Sequence, residues 1–190
     1  MFWIRMLVIL AVFLVPGTAR AQRVIGGNAG VALPFGELND ASGWGASFAG
    51  DVFFGISDRF EDLRWGGRIA YNNFGTNNYE SFGSNASSTA STIEIVPSLQ
   101  FLLTNPEDPQ GYFAQVGVGV FVTSIDFTDI PDADDDTSYR LGVTVGGGYT
   151  YRIANSLHAV VTPLYHFTDK NYLSVNVGLL FGNRERPVAE

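Results

Sequence analysis

The sequence predicts an all-β fold, an eight-stranded antiparallel up-and-down transmembrane β-barrel. Three observations carry this reading. Between residues 24 and 181, apolar side chains recur at every second position in eight separate runs, the period of a strand rather than of a helix. No run of helical period lies between them, so consecutive strands neighbour one another in an antiparallel meander. The face opposite the apolar one is glycine, serine and threonine with few charges. A water-facing surface carries about 25–35% charged residues. This face suits instead the narrow interior of an eight-stranded barrel, which small side chains must fill.

Residues 1–21 read as a cleaved signal peptide. Arg5 supplies positive charge, residues 6–15 are an unbroken apolar run, and Ala19-Arg20-Ala21 offers small residues at the two positions a signal peptidase reads. The apolar run is too short to span a bilayer comfortably as a retained helix. Cleavage before Gln22 leaves 22–182 as the barrel and 183–190 as a polar tail. It also removes Arg5 and Arg20, so nine basic residues face 19 acidic ones, a net charge of −10. Such a chain is a poor nucleic-acid binder, because binding rests on neutralising phosphates. The chain has no cysteine, which excludes disulfides, thiol catalysis, thiolate metal sites and a lipoprotein anchor. No P-loop, GxGxxG loop or HExxH is present.

The expected strands follow in order. In 24–33, Ile25, Ala29, Val31 and Leu33 share a face, and Pro34-Phe35-Gly36 ends the run. In 44–56, Trp44, Ala46, Phe48, Val52, Phe54 and Ile56 oppose Ser47, Ala49 and Asp51. In 64–74, Trp65, Ile69 and Tyr71 alternate with Arg64, Arg68 and Asn72. The Gly/Asn/Ser/Thr stretch 75–91 has no apolar period and reads as a mobile loop. In 92–103, Ile93, Ile95, Leu99, Phe101 and Leu103 oppose Glu94, Ser98 and Gln100. Runs 111–126 and 138–151 flank an acidic loop, 127–137, and 156–167 leads by a short link into 172–181. Pro97 and Pro163 fall inside strands, where each removes a ladder donor; bulges or an incompletely paired seam are expected there.

The connections alternate in length. Loops 34–43, 75–91 and 127–137 fall on one end and turns 57–63, 104–110 and 152–155 on the other, with 168–170 a short exception. Long loops outside and short turns inside is the pattern of outer-membrane barrels. Aromatics on the apolar face gather near both strand ends, as at two membrane interfaces. Trp44, Tyr71, Tyr139, Tyr165 and Phe167 lie near one end, with Trp65, Phe101, Tyr112, Tyr149, Tyr151 and Phe181 near the other. A soluble barrel with the apolar face inward is the alternative at the level of fold.

On these residues the chain resembles the small eight-stranded outer-membrane barrels of Gram-negative bacteria, the group around OmpA-type and OmpX-type barrels. The first run ends Gly30-x-x-x-Pro34-x-Gly36, and the last run carries Asn176, Gly178 and Phe181. The resemblance implies that these last three belong to a C-terminal signal read by the barrel assembly machinery. Asn183 stands where that signal has its final aromatic, and a tail follows Phe181. The implied partners are outer-membrane lipids, lipopolysaccharide and that machinery.

Parity collects Asp51, Arg64, Arg68, Glu94, Gln100, Arg140, His158 and His166 inside the barrel. Buried charges of opposite sign must pair, and neighbouring strands offer Arg68 with Asp51 and with Glu94. Two roles are open: a gated polar pore, or a plug of side chains in a lumen with little spare room. No cofactor or metal is expected. The two histidines are too far apart along one strand to share an ion. The aspartates at 126, 129, 132 and 134–136 lack the spacing and glycine of a calcium loop and read as a solvated acidic surface. A lipid-A deacylase on such a barrel would use a His-x-Ser pair; His166-Phe167-Thr168 lacks the serine and points inward. No catalytic residue is expected. The expected role is structural or surface-interactive through 75–91 and 127–137, with a narrow channel for small or apolar solutes as the alternative.

Overall fold

The computed structural model describes residues 23–56, 62–81, 84–104, 110–128 and 136–182. The expected signal peptide, the expected tail and the centre of the stretch read as an acidic loop lie outside the described residues. Eight strands run β1 (Arg23–Pro34), β2 (Ser42–Gly55), β3 (Leu63–Ser81), β4 (Ser84–Leu102), β5 (Gly111–Thr128), β6 (Asp136–Ala154), β7 (Leu157–Phe167) and β8 (Tyr172–Gly182), with one helical turn, α1 (Glu37–Ala41), between the first two. They form a closed barrel in sequence order, every neighbour antiparallel. The seam pairs β1 with β8 from Val24↔Gly182 to Pro34↔Tyr172, so each of the eight strands has a neighbour on both sides.

The period-two pattern dictates which way each side chain faces. Val24, Asn28 and Ala32 point into the lumen while Ile25, Ala29 and Val31 point out; in β8, Tyr172, Ser174, Asn176 and Leu180 point in while Val177, Leu179 and Phe181 point out. The exterior is a continuous apolar surface that includes Trp44, Phe48, Ile69, Ile93, Tyr112, Val118 and Val177. A patch of this size belongs against hydrocarbon. Aromatic pairs mark its two ends: Tyr165 and Phe167 at one (centroids 4.5 Å apart), Tyr112 and Tyr149 at the other (4.9 Å).

Two expectations are corrected. Most of 75–91 is not a loop. β3 and β4 continue as a ladder from Asn77↔Ser88 to Ser81↔Ser84. A run rich in Ser, Thr and Asn offers no apolar alternation to read in the sequence. Backbone pairing still holds it as a hairpin. Likewise β5 and β6 pair as far as Ile125↔Asp136, into the stretch read as acidic loop. The prolines make no bulge, since Pro97 and Pro163 stay in register opposite Gly67 and Val175, but the expected incomplete pairing is there: on their other side the ladders skip from Ile95↔Val120 to Ser98↔Gly117 and from Gly146↔Leu164 to Tyr149↔Val161. The register shifts fall between Gly43/Ala46, Asn73/Asn77 and Arg152/Ala154.

The wall is therefore uneven. β7 and β8 have 11 residues and β1 has 12, whereas β3, β4 and β6 have 19 and β5 has 18. A tilted strand crosses a bilayer in about 9–11 residues. The extra length on β3–β6 raises a four-stranded blade about 20 Å above the low side, from the rise per residue and a typical barrel tilt.

Candidate functional site

The lumen is filled in three layers. At the end that carries the turns, Val24, Phe53, Phe113, Val160 and Leu180 form an apolar cluster. At the blade end, Phe74, Phe121, Ile125 and Tyr172 form a second one, closed by Leu38 of α1. Gly36, at φ +59°, turns the chain so that α1 folds over the mouth. Ser42 Oγ then donates to the Leu38 carbonyl at 2.8 Å and fixes the end of the turn.

Between these layers lies a polar network. Arg68 is 1% exposed. It stands between Asp51 (Nη1 to Oδ2, 3.6 Å) and Glu94 (Nε to Oε1, 3.2 Å). The ladder places them, since Arg68 pairs directly with Asp51 on β2 and Glu94 sits opposite Ala70 on β4. Asn28 of β1 donates to the other side of the group at Asp51 Oδ2. Glu94 Oε2 accepts from the Tyr172 hydroxyl at 2.8 Å and from His166 Nδ1 at 2.9 Å. Asn72 Nδ2 donates to the Tyr172 oxygen at 3.2 Å. Thr144 Oγ1 lies 3.2 Å from His166 Nδ1. The imidazole stacks on Tyr172 with centroids 4.2 Å apart. Seven strands thus contribute to one connected interior. Such a group is favourable only when its charges are paired and hydrogen-bonded.

One part of it has the order of a catalytic relay. His166 Nε2 is 2.9 Å from Ser174 Oγ, and its Nδ1 meets Glu94. An ionised carboxylate only accepts, so Nδ1 donates to Glu94, and in the neutral imidazole Nε2 is then the acceptor for the serine hydroxyl. That is the arrangement of acid, base and nucleophile. Yet Glu94, His166 and Ser174 are all fully buried and Tyr172 covers the ring. The three side chains tie β4, β7 and β8 together.

The residues singled out in the sequence divide by height. Asp51, Arg68, Glu94 and His166 come together. Arg64 and His158 are buried near the turn end, away from that group. Arg140 departs from its expected place. It has inward parity, being paired with the buried Phe121, but β7 ends at the level of Val143. At Arg140 the lumen has lost a wall. Its side chain is 56% exposed and bonds Asp169 in the β7–β8 turn at 2.9 Å. Tyr172, Ser174 and Thr144 join His166 although the sequence does not single them out as its partners. Their inward parity in the sequence was the available signal, but pairing across the lumen leaves no local trace. In the C-terminal run, Phe181 faces outward and Asn176 is buried inside. A Cβ on Gly178 would stand 2.3 Å from the Gly27 carbonyl oxygen, so the seam needs glycine there for close approach.

Solved structures share this architecture. A major outer membrane protein from Thermus thermophilus superposes with a TM-score of 0.63 at 11% identity, covering 86% of this chain and all of that one (100%). Neisserial surface protein A gives 0.59 at 14%, covering 84% and 96%. The attachment invasion locus protein Ail of Yersinia pestis, in complex with the heparin analogue sucrose octasulfate, gives 0.55 at 9%, covering 86% and 99%. The fold is that of the small eight-stranded outer-membrane β-barrels. No family model matches the sequence, and no curated protein does.

Proposed function

We propose that this chain is a non-enzymatic barrel of the bacterial outer membrane that acts through the β3–β6 blade, with its lumen shut. The observation that carries this reading is the difference in strand length. Four strands extend well beyond what a bilayer requires, and polar strands that cross no lipid serve no spanning purpose. Above Thr76, β3 has no β2 partner, and above Val143, β6 has no β7 partner, among the described residues. A blade with strand edges and polar faces is a surface for a protein partner, through edge pairing or face contact.

The chemistry of the blade end narrows the partner. Glu37, Asp40, Asp126, Asp136 and Asp169 are there, against Arg140 and Lys170, and each of these two bases already faces a carboxylate. The sequence adds Asp129, Asp132, Asp134 and Asp135 in the same connection. A sulfated polyanion such as the one bound to Ail would meet repulsion, so a neutral or basic protein surface fits better. Trimming the β3–β4 hairpin at the Asn77↔Ser88 pair should leave membrane insertion intact and abolish binding of barrel-displaying cells to their extracellular target. Equal binding by full and trimmed barrels, across a panel of basic proteins and sulfated glycans, would count against the blade. The channel alternative requires steady openings of the purified protein in planar bilayers. The layered lumen favours none.

A further inference from the structure

On the β8–β1–β2–β3 side of the lumen, at mid-height, uncharged polar side chains are buried with hydrogen-bonding atoms that no described residue meets. Asn176 is 0% exposed, and neither its Oδ1 nor its Nδ2 has a partner; Ser47 Oγ, equally buried, has none either. Asn72 donates to Tyr172 and Asn28 donates to Asp51, and the Oδ1 of each is left unmet. The ladders bring these four side chains together. Asn176 on β8 and Ser47 on β2 both pair with Gly30 of β1, and Ser47 pairs in turn with Asn72 on β3. Asn28 is one inward step from Gly30 along β1, about 7 Å. The other inward positions around them are small: Gly26, Gly178, Ala49 and Ala70. The patch is therefore polar and short of side-chain bulk, the two conditions for internal water. The apolar clusters above and below separate it from both ends of the barrel.

We propose that this patch binds a small cluster of ordered water molecules. A buried amide without partners is costly, and native proteins meet such groups with protein or with ordered water. The unmet atoms are of both kinds. The three Oδ1 atoms accept, Asn176 Nδ2 donates, and the Ser47 hydroxyl does either. An ion satisfies only one kind and finds no unpaired charge among these four neutral groups. Water donates and accepts, and it is small enough for the space that glycine and alanine leave. Bound there, it joins Asn176 to Ser47 across Gly30, where β1 offers no side chain, and so ties β8 to β2 past the seam. Sealed between two apolar layers, it exchanges with bulk only when one layer opens.

The test uses the full barrel refolded in detergent micelles and isotope-labelled for NMR. The side-chain amide protons of Asn176 should cross-relax with water, with opposite signs in the laboratory and rotating frames, the mark of water held for longer than nanoseconds. A hydroxyl that exchanges its proton with water can relay the same peak. Ser47→Ala with Thr162→Val removes the hydroxyls paired with Gly30 and with Asn176. The peak should keep at least half of its intensity in that double variant, and in each single variant. Asn176→Leu should at least halve the water contact seen at the Asn28 amide. Val177→Leu, on the lipid face, should change neither reading. An Asn176 amide with no water contact in the unaltered barrel overturns the proposal. So does loss of the peak once the hydroxyls are gone, or an Asn28 contact unchanged in Asn176→Leu.

Discussion

Arg68 and Arg140 make the same kind of bond in opposite surroundings. Arg68 meets Glu94 at 3.2 Å with neither side chain reachable by water; Arg140 meets Asp169 at 2.9 Å with more than half of its side chain exposed. Removing one partner from the shorter contact is the cheaper change. At the rim, water and salt screen the charges and two mobile side chains lose freedom to hold one geometry. In the lumen the charges have already lost their hydration, and each depends on the others to offset that cost. Distance alone therefore ranks the two pairs in the wrong order.

The contrast is broken most directly at Glu94. Glu94→Ala removes the acceptor shared by Arg68, His166 and Tyr172 and should cost about 3–5 kcal/mol, the range for orphaning a buried charge, measured as a lower urea midpoint of the folded barrel. A smaller loss, near the rim value, would mean that water reaches the network. Val177→Arg probes the sheet's other side at similar height. A charge on the lipid face should cost about 2–4 kcal/mol near the bilayer midplane, read as reduced folding into vesicles. Replacing Asp51, Arg68 and Glu94 together by leucine or methionine should destabilise less than Glu94→Ala alone, since no charge is left stranded; a triple variant that fares worse would show that the network specifies the packing. Arg140→Ala should cost at most about 1 kcal/mol, and that small effect should vanish in high salt.

The sequence was most legible where lipid imposes a rule. Ile69, Ile93 and Val177 had to alternate with small or polar partners, so strand number, facing and closure could be read directly. Legibility failed where the rule stops. Above the bilayer, residues 77–88 obey no apolar alternation, and a ladder of serines and asparagines looks like a loop. Arg140 shows a second kind of failure: its parity was right and its height was wrong, because parity does not reveal where the neighbouring strand ends. Leu38 shows a third. A lone leucine in a turn region gives no hint that α1 folds inward to seal the mouth. Within the lumen, Arg68 with Asp51 and Glu94 was readable because these residues sit on adjacent strands. The contacts of His166 with Glu94 and of Asn72 with Tyr172 cross the interior, and only the closed barrel brings them together.

The seam between β1 and β8 also fixes an order of events. The other seven ladders join strands adjacent in sequence and close short loops. The eighth, Val24↔Gly182 to Pro34↔Tyr172, joins the two ends of the described chain, and loop-closure entropy makes it the slowest contact to form. His166, Tyr172 and Ser174 all lie in the last two strands, so the interior network is incomplete until they arrive. Until then the sheet is an open ribbon with an uncovered edge and stranded charges. A barrel of this design commits late, and one that has closed reopens only by giving up the seam ladder and the network together, which makes its persistence a matter of rate as much as of equilibrium.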